Sequence, residues 1–174
     1  MSRIDYDLRK IRGIVFDVDG VLSPSTIPMS EEGTPLRMVN IKDGYALQLA
    51  VKHGYKIAII TGADTKAVTV RFNGLGVKDV FLKVAMKLPL LEKWIEENGL
   101  KPEEVAYVGD DIPDYQCMQH VGLSVAPADA AMEIKEIARY ISPMNGGYGV
   151  ARDLLEQVMR AKGDWMTVEK AFGW

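Results

Sequence analysis

Short apolar runs alternate with longer stretches whose apolar residues recur at helical spacing, and this alternation limits the chain to few architectures. Ile14-Val15-Phe16, residues 57–60, Val80-Phe81-Leu82, residues 105–108 and Leu123-Ser124-Val125 read as strands, with Tyr140-Ile141 as a sixth. Between them, residues 43–53 read as a helix closed by Gly54, residues 65–75 as one stopped near Gly76, and residues 87–98 as one closed by Gly99. Leu88, Leu91 and Ile95 form the apolar stripe of the third. Pro102 opens a single turn. Such alternation predicts an α/β fold, a doubly wound parallel sheet (Rossmann-like) with right-handed crossovers. In these sheets ligands bind at the carboxyl ends of the strands. Three strands end in polar residues, at Asp17/Asp19, Thr61 and Asp110/Asp111, so those three ends are expected to meet.

Residues 23–40 break the pattern. Pro24, Pro28 and Pro35, with the turn Ser30-Glu31-Glu32-Gly33, predict a protruding β-hairpin rather than a helix. Neither the stretch from Val21 to Asp43 nor that from Thr61 to Lys87 is long enough for a lid, so no cap domain is expected. The expected organisation is one domain over 1–174, with a flap at 23–40 and a C-terminal tail at 163–174. Trp165, Phe172 and Trp174 in the tail predict packing, either on a neighbouring subunit or on the same domain.

Composition removes several function classes. A net charge of -3 argues against a large nucleic-acid-binding surface. Cys117 is the only cysteine, and His53 and His120 the only histidines, which leaves no cysteine zinc cage and few zinc-hydrolase layouts. No apolar run approaches the roughly 20 residues that span a bilayer, so no membrane association is expected. The polar start, residues 1–12, has no signal-peptide core, and the expected location is cytoplasmic.

Asp17-Val18-Asp19-Gly20 sets two carboxylates at a strand end. Carboxylates this close need a shared proton or a cation, and magnesium suits an all-oxygen site that meets a phosphate. Alone, the tetrapeptide reads equally well as a capped turn. Thr61 alone reads as a helix cap, and Lys87 alone as solvated surface. The order acid pair, Thr, Lys, acid pair is what turns alone do not explain.

In that order the four stretches resemble the motifs of the haloacid dehalogenase superfamily. Phe16-Asp17-Val18-Asp19-Gly20-Val21-Leu22 is similar to the first, Thr61-Gly62 to the second, Lys87 to the third and Gly109-Asp110-Asp111-Ile112-Pro113-Asp114 to the fourth. Residues 40–45, the hairpin before them and Gly146-Gly147-Tyr148-Gly149-Val150-Ala151-Arg152 resemble the capless subgroup. Its members dephosphorylate 2-keto sugar acids, and are tetramers in which a neighbour's hairpin and tail help close each site.

The resemblance implies a magnesium-dependent phosphoric monoester hydrolase, a homotetramer acting on a small sugar-acid phosphate. The expected substrate is 3-deoxy-D-manno-octulosonate 8-phosphate, in lipopolysaccharide synthesis, with nine-carbon 2-keto sugar acid 9-phosphates as the alternative. It implies Asp17 as nucleophile, Asp19 as acid and base, and Thr61 and Lys87 on the phosphoryl oxygens. Asp17, Asp19 and Asp110 are then the metal residues, with Asp111 and Asp114 behind them; Asp114 also reads as a helix cap. Gly62, Lys42, Asp43, Lys66, Arg71 and Arg152 are the substrate-binding candidates. Ala63, followed by Asp64, stands where octulosonate phosphatases often carry an arginine. A receiver-type phospho-switch without turnover uses similar residues, but its acid pair precedes the lone acceptor, the reverse of the order here.

Overall fold

The computed structural model describes residues 4–167 and 169–174. Six strands form one parallel sheet in the order β3-β2-β1-β4-β5-β6. They are β1 (Gly13–Phe16), β2 (Lys56–Ile60), β3 (Asp79–Phe81), β4 (Val105–Val108), β5 (Leu123–Ala126) and β6 (Tyr140–Ile141). β1, β4 and β5 are buried along their whole length, which is why they read as continuous apolar runs rather than alternating ones.

Side chains alternate between the two faces. Ile14, Phe16, Ile57, Ile59, Ala106 and Val108 pack against α1 (Ile41–Lys52), α2 (Lys66–Gly74) and α6 (Val150–Lys162). Val15, Ala58, Ile60, Val105 and Tyr107 pack against α3 (Lys87–Glu97), α4 (Tyr115–His120) and α5 (Met132–Ile137). The chain lays β2 and β3 on one side of β1, and β4 to β6 on the other. The crevice between β1 and β4 is therefore the topological switch point, where such sheets bind ligands.

α1 starts two residues before the position read from the sequence, because Asn40 Oδ1 accepts from the amides of Lys42 (2.9 Å) and Asp43 (3.3 Å) and caps the helix at Ile41. α4 and α5, six residues each, were not singled out by periodicity, since so short a helix shows less than two turns of pattern.

The 23–40 segment carries a single antiparallel bridge, Met29 to Pro35, rather than a ladder. Ser30 N–H donates to Thr34 O (2.9 Å) and Leu36 N–H to Pro28 O (2.8 Å) around a turn in which Gly33 takes φ +80°. Pro28 and Pro35 lack the amides that a longer ladder needs. The tail docks on its own domain: Trp165 and Ala171 are buried, and Tyr45 Oη donates to Ala171 O (2.5 Å). Trp165 and Trp174 meet the Tyr45 ring edge to face, and Arg152 lies 4.6 Å from the Trp165 ring centre. Among the described residues, no helix is long and apolar enough to cross a membrane.

Candidate active site

Strand register brings the motifs together. Phe16 pairs with Ile59 on one side and Val108 on the other, so Asp17 leaves β1 beside the ends of β2 and β4. Asp17, Asp19, Thr61, Gly62, Lys87 and Asp110 all line one cleft of about 440 Å³.

The floor of the cleft is a buried ionic network. Lys87, at the first turn of α3 and 5% exposed, places Nζ 2.9 Å from Asp17 Oδ2 and 2.7 Å from Asp114 Oδ1. Asp114 is fully buried; its Oδ1 also accepts from Tyr107 Oη (2.7 Å) and its Oδ2 from the Asp110 amide (3.2 Å). Asp114 occupies the N-cap position of α4, but its side chain makes no capping bond there. It fixes Lys87 and the start of the Asp110 loop together. Asp111, expected to orient Asp110 or a metal-bound water, also lines the cleft; it is exposed and accepts from the Ile112 amide (2.8 Å). Thr61 Oγ1 accepts from the Ala63 amide (3.1 Å), which leaves the hydroxyl hydrogen free to point into the cleft.

The carboxylates are not at ease without a counter-ion. Burial and the Asp114 charge push Asp17 up to about 8, against the pull of Lys87 and the Val18 amide. Burial, Asp114 and Asp111 push Asp110 up to about 7. For Lys87, burial opposes the charge, but Asp114 and Asp17 outweigh it and hold the ammonium above its ordinary value.

Oxygens of Asp17, Asp110 and Asp114 lie within 4.8 Å of one another, and these three could hold one hard divalent cation. Gly20 makes room for this: a Cβ there would sit 1.9 Å from Asp110 Oδ2, and its φ of +79° also excludes most side chains. Three acids against one lysine, with two of the acids pushed towards protonation, fit a doubly charged ion. The proton balance follows. Both groups titrate above the usual unfolded value of about 4, so the cation-free protein loses stability as pH rises from about 4 to 8. Magnesium needs both ionised and releases their protons on binding. The expected result is a larger magnesium-induced rise in unfolding temperature at pH 8 than at pH 6, with buffer-dependent binding heats near pH 6.5. A magnesium affinity unchanged from pH 6 to 8.5 would contradict it.

The remaining candidates lie elsewhere in the chain. Lys42 and Arg152 line a separate cleft with Tyr148. Asp43 is buried and accepts from the Arg152 amide at 2.7 Å, so it tethers the start of α6; burial pushes it up to about 6. Arg152 itself pairs with Glu156 (3.0 Å). Arg71 lines a third cavity, beneath the 23–40 segment, and Lys66 is exposed on α2. None of these five lines the cleft of Asp17 within one chain. Two site residues were missed from the sequence. Tyr107 looks like any inward strand residue, and its only signal is the alternation that points it towards Asp114. Arg37 carries no local signal; its Nε and Nη2 each lie 2.8 Å from an Asp19 carboxylate oxygen.

A buried aspartate at the switch point, flanked by threonine, lysine and acids that could hold a cation, fits a phosphoryl-transfer hydrolase. The chain belongs to the haloacid dehalogenase-like hydrolases, whose family pattern matches residues 63–154. It is 39% identical over 153 residues to the 3-deoxy-D-manno-octulosonate 8-phosphate phosphatase KdsC of Escherichia coli strain K12, covering 88% of this chain and 81% of that protein. The crystal structure of the phosphatase of the same name from Yersinia pestis has 34% identity and a TM-score of 0.87, covering 91% of this chain and 85% of that one. The Moraxella catarrhalis phosphatase, solved with magnesium, phosphate and KDO, has 29% identity and a TM-score of 0.85, covering 89% of each chain.

Proposed function

We propose that this enzyme hydrolyses 3-deoxy-D-manno-octulosonate 8-phosphate to the free sugar acid and phosphate through a phosphorylated Asp17. The observation that carries the reading is the convergence of Asp17, Thr61, Lys87 and Asp110 on one cleft, in a chain similar over 88% of its length to a phosphatase of that substrate.

In this reading one Asp17 oxygen attacks phosphorus in line, and the bond to the sugar oxygen breaks. Val18 N–H, 2.7 Å from Asp17 Oδ1, and Lys87 aim the carboxylate. Asp19 delivers a proton to the departing oxygen, then takes one from the water that attacks the aspartyl phosphate. The Thr61 hydroxyl, the Gly62 amide and the Lys87 ammonium receive the phosphoryl oxygens, whose charge shifts in the transition state. Asp17 and Asp110, with the Asp19 backbone carbonyl, would hold magnesium, which would supply charge neutralisation between substrate and carboxylates.

The reading also includes a cytoplasmic enzyme feeding lipopolysaccharide synthesis, and a homotetramer. The tetramer is supported by apolar side chains left in solvent on one segment, Met29, Leu36, Met38, Val39 and Ile41; sedimentation at four times the chain mass would check it. A neighbouring subunit would then bring Lys42, Lys66, Arg71 or Arg152 towards the sugar.

Ala63 is buried and uncharged, and Asp64 pairs outward with Lys83 at 2.8 Å, so neither residue marks the eight-carbon or the nine-carbon acid. The deciding experiment compares kcat/KM for octulosonate 8-phosphate, nine-carbon 9-phosphates and hexose phosphates. The eight-carbon acid is expected to lead; a preference for hexose phosphates would reject any keto-acid substrate.

A further inference from the structure

One side chain from the 23–40 segment reaches the acid-base carboxylate. Arg37 donates from Nε to Asp19 Oδ1 and from Nη2 to Asp19 Oδ2, each at 2.8 Å. This two-pronged pairing fixes both the position and the plane of a carboxylate. Exposure is unequal: the Arg37 side chain is 14% exposed and that of Asp19 is 42% exposed. The guanidinium is thus the shielded partner, and the carboxylate faces the cleft, unlike a pair of two solvated side chains. No other hydrogen bond to the Asp19 side chain is present among the described residues. The arginine is itself braced on the catalytic turn. The next residue, Met38, donates its amide to Ser23 Oγ (3.1 Å), and Ser23 is buried with its own amide on Val18 O (2.9 Å).

We infer that Arg37 is a positioning residue, which holds the Asp19 carboxylate towards the leaving oxygen so that proton delivery depends on the 23–40 segment being seated. The inference rests on the proposed role of Asp19. In the step concerned, Asp19 first takes up a proton from solvent on one oxygen while Arg37 keeps the other; the bond from Asp17 to phosphorus then forms, the bond to the leaving oxygen breaks, and that proton ends on the leaving oxygen. A sugar alkoxide needs this proton, whereas p-nitrophenolate departs as the anion. The value of kcat/KM reports events up to the first irreversible step, so it isolates departure from the later hydrolysis of the aspartyl phosphate.

The test measures kcat/KM for the sugar-acid phosphate and for p-nitrophenyl phosphate in wild type, Arg37→Ala and Arg37→Lys, with magnesium. Arg37→Ala is expected to lose roughly ten- to hundredfold on the sugar phosphate and less than about threefold on the aryl phosphate. Arg37→Lys, keeping one donor, is expected to recover part of the loss. Equal losses on both substrates would assign Arg37 to phosphate binding or to the fold, and loss on neither would make the pair inert; each overturns the inference. Wild type inactive on the sugar-acid phosphate would bear on the proposed substrate alone, because the same contrast can be run with any alkyl phosphate it does hydrolyse.

Discussion

Replacing Asp17 by Asn is expected to remove turnover by a factor on the order of 10⁴ or more while leaving the protein folded. The amide keeps the shape and the Val18 contact but has no nucleophilic oxygen anion. Stability is expected to hold because the native site already strains against this charge: burial and Asp114 push the Asp17 carboxyl up to about 8. A neutral isostere removes that repulsion and leaves Lys87 paired to Asp114 at 2.7 Å. The cation-free variant is therefore expected to be at least as stable as wild type near neutral pH. Rapid-quench assays for the acid-stable phosphoprotein, together with steady-state kcat, would check both halves. More than about one part in a hundred of the wild-type kcat would point to another nucleophile.

Asp114→Ala is expected to act in the opposite sense, on fold and chemistry together. Asp114 is fully buried and gathers Lys87, Tyr107 and the Asp110 amide onto one carboxylate. Without it, Lys87 keeps only Asp17 as counter-charge, and Tyr107 Oη is left buried with no acceptor. Removing one partner of a buried ion pair costs about 3–5 kcal/mol. The loss here is expected in that range by denaturant titration, and kcat is expected to fall at least about 100-fold because Lys87 and the Asp110 loop lose their support. Asp114→Asn keeps the volume and the acceptor oxygen for Tyr107, so it is expected to recover much of the stability but less of the activity. A destabilisation below about 1 kcal/mol for Asp114→Ala would mean that Asp17 alone can neutralise the buried lysine.

How much of this was legible beforehand follows from the range of the forces involved. Burial of β1, β2 and β4 shows in Ile14-Val15-Phe16 and its counterparts, because a strand covered on both faces must be apolar throughout. The polar residues at those strand ends were legible for the same reason: an acid directly after an apolar run lies where the sheet meets solvent. Asp114 was harder to read. Its spacing from Asp111 suits a cap, and only the packing of Tyr107 and Lys87 above it shows a buried hub.

The order of elements, the strand-end residues and the cation chemistry were determined by the sequence alone, since periodicity, turn chemistry and charge spacing are properties of neighbouring residues. The tertiary structure alone decided that Arg37 meets Asp19 across 18 positions, that Lys87 meets Asp114 across 27, and that the tail closes on Tyr45 of its own domain. It also decided that Lys42 and Arg152 lie together in a cleft apart from Asp17. Such pairings depend on which strands become neighbours and in what register, and the 3-2-1-4-5-6 order sets that through the burial of both sheet faces at once.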